Sequence, residues 1–180
     1  MKKLTLAIFT GILVLCFMSA CSRAVDKAPD VSSAIRQSLD QAGLKDVSVS
    51  QDRDKGVVTL GGQVATDDAK GQAESIAKSM AAGQVVANQV AVIPPGLESD
   101  AKTINSDLDK GIDKNLHAAL VASRFDSQVN YDVKNRVVVL KGAVDSQAKR
   151  ADVAKVAAGV PNVEQVVNEV QVKNQKATSY

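Results

Sequence analysis

Few residues of this chain could do chemistry, and their types and spacing do not assemble a catalytic site. His117 is the only histidine among the 180 residues. A single imidazole without a neighbouring nucleophile, a second base or further ligands is a poor candidate for catalysis or for metal binding. We also find no glycine-rich phosphate loop. The sequence therefore predicts a protein that is not an enzyme and that uses no cofactor and no metal.

Cys21 is the one residue for which the sequence predicts a covalent modification, because it follows a segment typical of exported proteins. A basic start at residues 2–3 precedes an almost unbroken apolar run over residues 4–17. That organisation predicts a secretory signal, too short to span a bilayer. Met18-Ser19-Ala20-Cys21 resembles the lipobox of bacterial lipoproteins, with Met at the position usually held by Leu. The resemblance implies cleavage before Cys21 and its acylation, for example with palmitate. The alternative is an ordinary secretory signal with Cys21 left free.

The resemblance to the lipobox also implies a location. Three acyl chains would hold the protein in a membrane, because each buried methylene contributes about 0.8 kcal/mol. Ser22 follows the cysteine, and in enteric-type sorting a residue other than Asp there implies export to the outer membrane. We therefore expect a lipid-anchored protein that faces the periplasm. Cys16 lies within the signal, so no cysteine would remain for a disulfide.

The charge balance argues against nucleic acid as a partner. The chain has 22 basic and 20 acidic residues, 45% apolar and 23% charged, which is typical of a globular protein. Removing Lys2 and Lys3 with the signal leaves 20 residues of each sign. A net charge near zero is unlike that of nucleic-acid binders, which normally carry an excess of positive charge.

Residues after the signal form a tandem repeat with a shift of 80 positions. VVTLGGQV at 57–64 returns as VVVLKGAV at 137–144. Comparison of residues 57–92 with 137–172, without a gap, gives 10 identities in 36 positions, most of them at alternating apolar positions. Two copies are too few for a solenoid, so we interpret the chain as the duplication of a unit of about 60 residues.

The residue pattern of each unit predicts the element order αββαβ. The elements of the first unit are a helix with Ile35 and Leu39, a short strand from Val47, a strand over 57–64, a helix capped by Thr66 and a strand over 85–92. The second unit repeats them, with Ser146 as the helix cap. The first two strands of a unit should form a hairpin, and the last two should run parallel because a helix connects them. The predicted fold class is α+β: two tandem αββαβ units, each a three-stranded mixed sheet with two helices packed on one face.

The breaks between these patterns predict the domain boundaries. Pro94-Pro95-Gly96 interrupts the chain between the units. Apolar residues then recur at every fourth position from Ile104, so part of the linker should extend the next helix, although Gly111 weakens that extension. The boundaries are a signal peptide at 1–20, a tether at 21–29, a first domain at 30–93, a partly helical linker at 94–111, a second domain at 112–173 and a tail at 174–180.

The strand motifs resemble those of a known family. VTLGGQV and VVANQVAV in the first unit, and VVLKGAV and VVNEVQV in the second, resemble the BON domain of bacterial envelope proteins. Tandem-BON lipoproteins and related periplasmic proteins are linked to outer-membrane integrity, envelope stress and phospholipid binding. BON units also occur attached to channels and secretion components. The resemblance therefore implies one of two partners: an anionic phospholipid membrane surface, or another envelope protein.

Two residue types recur at equivalent positions of the repeat and are candidates for structural roles. Gly62 and Gly142 lie near the end of a strand, where glycine favours a bulge or close packing. Asn88 and Asn168 lie at strand positions that should face inward together with the alternating valines. A side-chain amide that faces inward needs hydrogen-bond partners. We interpret the four residues as structural, with contact to a ligand as the alternative.

The second unit is the better candidate for a membrane contact. Residues 30–95 carry 8 acidic and 6 basic residues, whereas residues 113–173 carry 7 acidic and 9 basic. The first helix of the second unit is also apolar on the face opposite Ile112 and Leu116, and cations beside apolar side chains favour anionic lipid. The predicted contact residues are Lys114, Ala118, Val121, Arg124, Phe125, Lys149 and Arg150. Two alternatives stay open: Phe125 turns inward, as Leu44 should, or the first unit or the linker covers this face.

Overall fold

The computed structural model describes residues 27–173, so the signal segment, Cys21 and the tail from residue 174 lie outside it. The described chain has the predicted α+β class in two repeated units. The helices are α1 (Ser32–Gln41), α2 (Asp67–Met80), α3 (Glu98–Ala122) and α4 (Gln147–Ala158). The strands are β1 (Val47–Asp52), β2 (Val57–Val64), β3 (Val85–Asn88), β4 (Ala91–Val92), β5 (Val129–Lys134), β6 (Val137–Val144), β7 (Gln165–Asn168) and β8 (Gln171–Val172).

Each unit builds a mixed sheet on its longest strand. In the first unit β1 runs antiparallel to β2, and β3 runs parallel to β2 on its other side. The strand predicted over 85–92 is interrupted at residues 89–90, and its second part, β4, also pairs with β2 in parallel. The second unit repeats this arrangement with β5 to β8. The predicted hairpins and parallel pairings are confirmed.

Side-chain caps fix the start of the second helix in each unit. The Thr66 hydroxyl accepts a hydrogen bond from the Ala69 amide, and the Ser146 hydroxyl accepts one from the Lys149 amide. Asp67 and Asp68 add negative charge to the first turn of α2, which favours the helix dipole. These caps satisfy amides that have no partner inside the helix.

Each unit has its own hydrophobic core between its two helices and one face of its sheet. The first core is formed by Ile35, Leu39, Val47, Val58, Leu60, Ala73, Ala77, Ala81, Val86 and Val90. The second is formed by Ile112, Leu116, Leu120, Val129, Val138, Leu140, Val144, Val153, Ala157, Val160 and Val170. Because the cores contain residues from one unit each, the halves are two domains rather than parts of one interior.

Most of the predicted linker is helix. After a turn at Pro94–Leu97, α3 begins at Glu98 and continues for 25 residues into the second domain. Gly111 lies inside the helix and does not interrupt it. The second domain therefore begins with a helix that is much longer than its counterpart α1, which has 10 residues.

The two domains pack through the faces of their sheets that carry no helix. A cluster of apolar side chains lies there, formed by Val57, Ala87, Val137, Val139 and Val167. Val57 and Val137 are equivalent positions of the repeat, as are Ala87 and Val167. Each domain thus presents a similar surface to the other, as the subunits of a symmetric dimer do.

Polar contacts at this interface follow the same approximate symmetry. The Lys55 ammonium lies 2.6 Å from the Glu169 carboxylate. At the equivalent pair of positions, the Asn135 side chain donates to the Gln89 carbonyl oxygen at 2.7 Å. The Glu169 side chain is only 8% exposed, so this ion pair is sheltered from solvent.

Gln165 breaks the symmetry and covers an open strand edge. Its amide nitrogen donates to the Val86 carbonyl oxygen at 2.7 Å, and its amide oxygen accepts from the Asn88 backbone N–H at 2.9 Å. The side chain thereby takes the place that a further strand would take beside β3. The equivalent residue of the first domain is Val85, which is 50% exposed.

Candidate functional site

The C-terminal half of α3 has a buried face and an exposed face. Ile112, Leu116 and Leu120 are at most 1% exposed and pack on the sheet of the second domain. On the opposite face Lys114 and Ala118 are exposed. Val121 continues this face and is 47% exposed. An outward apolar residue of this size next to a cation is a feature of surfaces that meet lipid or another protein.

The equivalent helix of the first domain has no such face. Its outward residues are polar and exposed: Ser33, Gln37, Asp40 and Gln41. Asp40 is the repeat counterpart of Val121, because each directly follows an equivalent buried leucine, Leu39 or Leu120. Because both helices pack on their sheets in the same way, the difference lies in the outward residues and not in the fold.

The outer face of α3 is not covered by the first domain. The described first domain meets the second through the sheet faces, and the linker forms the N-terminal half of α3 itself. The alternative that the first unit or the linker packs on this face is therefore wrong for the part of the chain that the structure describes.

Phe125 does not belong to the exposed face. It turns inward and packs, half-buried, against the second core. Its backbone N–H donates to the Leu120 carbonyl oxygen, as the N–H of Leu44 donates to that of Leu39 in the first domain. The preceding residue, Arg124, is exposed at the end of α3 with a φ of 58°. The predicted contact surface thus retains Arg124 and loses the aromatic ring.

Lys149 and Arg150 are engaged within the second domain. Lys149 forms an ion pair with Asp145 at 2.8 Å. The Arg150 guanidinium donates to the carbonyl oxygens of Val170 at 2.7 Å and Asn168 at 3.0 Å. Arg150 therefore stabilises the strand edge at β7 and β8, and the structure does not bring it to the outer face of α3.

Lys155 is a residue of this surface that the sequence did not indicate. It lines a groove of about 550 Å³ between α3 and α4, together with Asn115, Ala119, Val156, Gly159, Val160 and Pro161. The side chains that line the groove are mainly apolar. The contact between α3 and α4 is tertiary, so periodicity within either helix could not have placed Lys155 beside α3.

The cations of this surface have no acidic partners. Lys114, Arg124 and Lys155 form no ion pair with another residue between 27 and 173. In the first domain Lys55, Lys70 and Lys78 are paired, whereas Arg36, Lys45 and Arg53 form no ion pair with a described residue. What distinguishes the second domain is that two of its unpaired cations, Lys114 and Arg124, lie on the helix that carries the exposed Val121.

Gly62 and Gly142 both have a left-handed backbone at a close approach between strands. Their φ values are 90° and 125°. A Cβ at Gly62 would overlap the carbonyl oxygen of Asp46, and one at Gly142 would overlap that of Gln128. The following residue donates its N–H to the same carbonyl in each domain. This geometry is that of a β-bulge, which glycine accommodates.

Asn88 and Asn168 connect the interrupted third strand to a helix. The Asn88 amide nitrogen donates to the Lys70 carbonyl oxygen at 3.2 Å, and its oxygen accepts from the Val90 N–H at 3.3 Å. Asn168 makes the same two contacts, with Arg150 and Val170. These bonds turn the strand at residues 89–90, and so account for the break that alternation alone did not predict.

Asn88 also contacts a carboxylate. Its amide nitrogen lies 3.1 Å from Glu74 Oε2. The Lys78 ammonium, and then this amide, hold the pKa of Glu74 below its ordinary value, against the opposing effect of burial. The contacts of Asn88 and Asn168 within the described chain are thus those of structural residues.

Residues 27–173 have no membrane-spanning helix and no metal-binding cluster. None of the helices between residues 27 and 173 is both long and apolar enough to cross a bilayer. The same range contains no group of three or more His, Cys, Asp or Glu side chains that could hold a metal ion.

The family is shown by comparison with known proteins. The family model described as BON domain matches residues 28–94 and 108–174, so the chain belongs to the BON domain family and carries two copies in tandem. BON domains are envelope-associated and interaction modules, and proteins that carry them are generally not enzymes. No curated protein sequence matches the chain.

Two solved structures of CdsD, a structural protein of the type III secretion system of Chlamydia trachomatis, are similar to the chain. Its C-terminal domain shares 18% identity at a TM-score of 0.30, with 78% of this chain and 66% of that chain covered. The other CdsD structure shares 18% identity at a TM-score of 0.31, with 78% and 62% covered. The chain spans slightly less than two thirds of either structure.

Proposed function

We propose that the protein is a non-enzymatic lipoprotein of the outer membrane that faces the periplasm and binds anionic phospholipid through its second BON domain. In this proposal Cys21 carries the acyl anchor, and the outer face of α3 contacts the membrane surface. Its role is to support the integrity of the envelope or its tolerance of stress.

The observation that carries the proposal is the half-exposed Val121 on the same helix surface as Lys114 and close in sequence to Arg124, with Lys155 on the neighbouring helix α4. Val121 supplies apolar contact at the level of the headgroups, as the apolar face of an interfacial helix does. Lys114, Arg124 and Lys155 each contribute about 1 kcal/mol near an anionic surface. Together they give about 3 kcal/mol, which is weak binding by itself. An acyl anchor would raise the effective concentration of the surface and make such weak contacts sufficient.

Vesicle co-sedimentation tests the proposal. A protein that begins at Ser22 retains every described element and carries no anchor, so its binding reports the α3 surface alone. We expect it to bind vesicles that contain phosphatidylglycerol, and to bind phosphatidylcholine vesicles much less. Val121→Asp should abolish this binding. Gln41→Asp is the control, because it adds the same charge to the outward face of α1, next to Asp40, and should leave binding unchanged.

Two outcomes would contradict the proposal. If the parent protein sediments equally with both vesicle types, or with neither, the surface does not recognise anionic lipid. If Gln41→Asp and Val121→Asp reduce binding equally, the added negative charge acts through the whole molecule, and the outer face of α3 is not the contact site.

A second function has one observation in its favour. Leu97, directly before α3, and Ile104, on the half of α3 that extends beyond the second core, are 53% and 58% exposed. Exposed apolar residues on an extended helix also suit docking onto another envelope protein or a channel. Cross-linking in the intact envelope separates the two functions, because a single protein partner in fixed stoichiometry would favour docking.

A further inference from the structure

Between residues 27 and 173, side chains cover three of the four strand edges at the sides of the two sheets. The Arg36 guanidinium donates to the Val49 carbonyl oxygen at 3.3 Å, at the edge of β1. Gln165 bonds the edge of β3. Arg150 donates to two carbonyl oxygens at the edge formed by β7 and β8. Covers of this kind keep a strand edge from pairing with another chain.

The fourth edge, that of β5, has no such cover within the described chain. Tyr131 is the counterpart of Val49, because both lie opposite the central leucine of the neighbouring strand. The counterpart of Arg36 is His117, because each directly follows an equivalent buried residue of its helix. His117 is exposed and forms no hydrogen bond to a described residue. The carbonyl that Arg36 covers in the first domain is therefore left open in the second.

Alternation along β5 shows which of its backbone groups face away from β6. Directly before β5, the Gln128 carbonyl oxygen accepts from the Ala143 N–H at 3.2 Å, so even-numbered residues face β6. The N–H and C=O groups of Tyr131 and Val133 therefore point outward. These four backbone groups have no hydrogen-bond partner among residues 27–173.

The residues that carry these groups line a groove between α3 and β5. The interdomain groove has a volume of about 640 Å³ and includes Tyr131 and Val133. The end of the first domain contributes Ala91 and Ile93 to its wall. The Tyr131 hydroxyl donates to the Asp113 carbonyl oxygen at 3.3 Å, which holds the ring against α3. The groove thus combines an open strand edge with an apolar wall.

The acidic groups of the interdomain groove are engaged within the protein. Asp109 accepts from the Asn135 N–H at 2.8 Å, and Asp132 forms an ion pair with a lysine of β6. Burial, and then the negative charge of Asp113 beside the hydroxyl, raises the pKa of Tyr131. These carboxylates therefore already have partners when a ligand approaches.

The free cations of the interdomain groove are spread along its length. Lys102, Lys114 and Lys134 form no ion pair with any residue that the structure describes. Lys102 and Lys114 are about 18 Å apart along the axis of α3, at a rise of about 1.5 Å per residue. One small anion cannot bridge that separation, whereas an extended peptide of about six residues spans about 20 Å. The spacing suits several carboxylates along one extended chain.

The two faces of a strand added beside β5 would meet different surroundings. Helices cover one face of the sheet, so side chains on that face would lie beside α3 and its free lysines. The other face of the sheet meets the first domain, so the alternate side chains would lie beside Ala91 and Ile93. Because successive residues of a strand point to opposite faces, the added strand should alternate acidic and apolar residues.

We propose that the edge of β5 binds an extended segment of another protein as an added strand, in which acidic residues alternate with apolar residues. The backbone of the segment pairs with the outward groups of Tyr131 and Val133, as in other complexes formed by strand addition. Its carboxylates meet the free lysines of α3. The inference is independent of lipid binding, because it uses the β5 side of the second domain and not the outer face of α3.

Hydrogen exchange followed by NMR, with a designed peptide as the probe, tests the proposal. The probe is an acetylated and amidated hexapeptide of alternating Glu and Val, added to the protein that begins at Ser22. The amides of Tyr131 and Val133 should exchange at least about tenfold more slowly in saturating peptide. The same peptide with a methyl group on every backbone nitrogen should give no protection, because the methyl groups replace its N–H groups and collide with β5. A hexapeptide of alternating Lys and Val should also give none.

Two double variants test the charge of the segment. Lys102→Gln with Lys114→Gln should weaken binding of the Glu–Val peptide about tenfold, through two lost ion pairs. Lys45→Gln with Lys155→Gln is the matched control, because it removes two unpaired lysines outside the interdomain groove, and should change binding less than about twofold. None of the four side chains lies in a hydrophobic core, and thermal unfolding checks that each variant folds.

Other occupants of the edge would give different results. Protection of both amides without peptide, lost on dilution of the protein, would identify a second copy as the occupant. Protection lost when residues 174–180 are removed would identify the tail. Either result overturns the assignment to another protein. Absence of protection by the Glu–Val peptide, or equal protection by its methylated form, overturns strand addition. Equal peptide binding by the two double variants overturns the acidic character of the segment.

Discussion

Replacement of Gly62 by alanine should destabilise the first domain by about 3 kcal/mol. The φ of 90° places this residue in the left-handed region, which costs an L-residue with a Cβ about 1–2 kcal/mol. The added carbon would also overlap the Asp46 carbonyl oxygen. Relieving that overlap opens the bulge and stretches the bond from the Gln63 N–H, for a further cost of about 1–3 kcal/mol. At about 4–8 °C per kcal/mol for a small domain, the melting temperature should fall by about 12–24 °C.

The same substitution elsewhere in the domain gives the control. Gly71 lies inside α2 at an ordinary helical φ, and a Cβ there would meet no atom within 4 Å. Gly71→Ala should therefore stabilise the domain by about 0.5–1 kcal/mol. The second domain offers an equivalent pair, Gly142→Ala and Gly111→Ala, with the same expected signs.

Urea unfolding followed by far-ultraviolet circular dichroism measures all four variants. The reasoning is refuted if Gly62→Ala lies within 1 kcal/mol of the parent protein, or if the two alanine substitutions in one domain have the same sign.

Three further predictions concern polar contacts. Asn88→Leu leaves the Lys70 carbonyl and the Val90 N–H without their partner and should cost about 2–3 kcal/mol in urea unfolding; a cost below 0.5 kcal/mol would contradict the structural role. Gln165→Ala uncovers the β3 edge, so the Asn88 amide should exchange with deuterium at least tenfold faster, whereas Val85→Ala should leave that rate unchanged. Glu74 has a lowered pKa, so its stabilising contribution is present above the ordinary value of 4.5 and is lost as pH falls below it. Glu74→Gln should therefore destabilise the protein more at pH 7 than at acidic pH below 4.5, and an equal effect across this range would refute the assignment.

Much of the fold follows from local signals in the sequence. Thr66 and Ser146 could be predicted as helix starts because a side-chain cap is a local interaction. It involves only a hydroxyl and the backbone amide three residues later in the sequence. The hairpins and parallel pairings follow from connection lengths, since a short turn allows an antiparallel pair and a helix connects parallel strands. The duplication supports each of these predictions, because the same element is predicted twice from different residues.

The packing between the domains is indicated in the sequence by apolar residues that break the apolar–polar alternation of the strands. Val57 and Val58 lie next to each other, and 137–140 is an unbroken apolar run. Such runs are typical of strands buried on both faces. The structure buries Val58 against the helices and Val57 against the other domain. The second face could be predicted as buried, but what covers it could not, because that depends on contacts between distant residues.

The candidate site could likewise be predicted only as far as it depends on residues close in sequence. The outward positions of Lys114, Ala118 and Val121 follow from helical periodicity, and the structure places all three at the surface. Phe125 lies past the end of α3, where periodicity no longer applies, and the turn directs it inward. Lys155 reaches its groove between α3 and α4 only through tertiary packing. A single helix and its own cations, Lys114 and Arg124, could therefore be assigned to the surface from sequence, but a cation from the neighbouring helix could not.

The interface between the domains has a consequence for how a duplicated protein could meet a flat membrane. Because the sheets pack through their helix-free faces, α1 and the C-terminal half of α3 lie on opposite sides of the molecule, and α2 reaches the other domain only at its edge, through the ion pair of Lys70 with Glu164. A surface that contacts the outer face of α3 cannot at the same time contact the outer face of α1. The two copies are therefore not equivalent toward a membrane, and selection for lipid contact would act on one of them. The polar outward residues of α1 and the apolar, cationic surroundings of Val121 are consistent with that division. If the domains separated in solution, both faces could approach one surface, and the charge difference between them would have no such explanation.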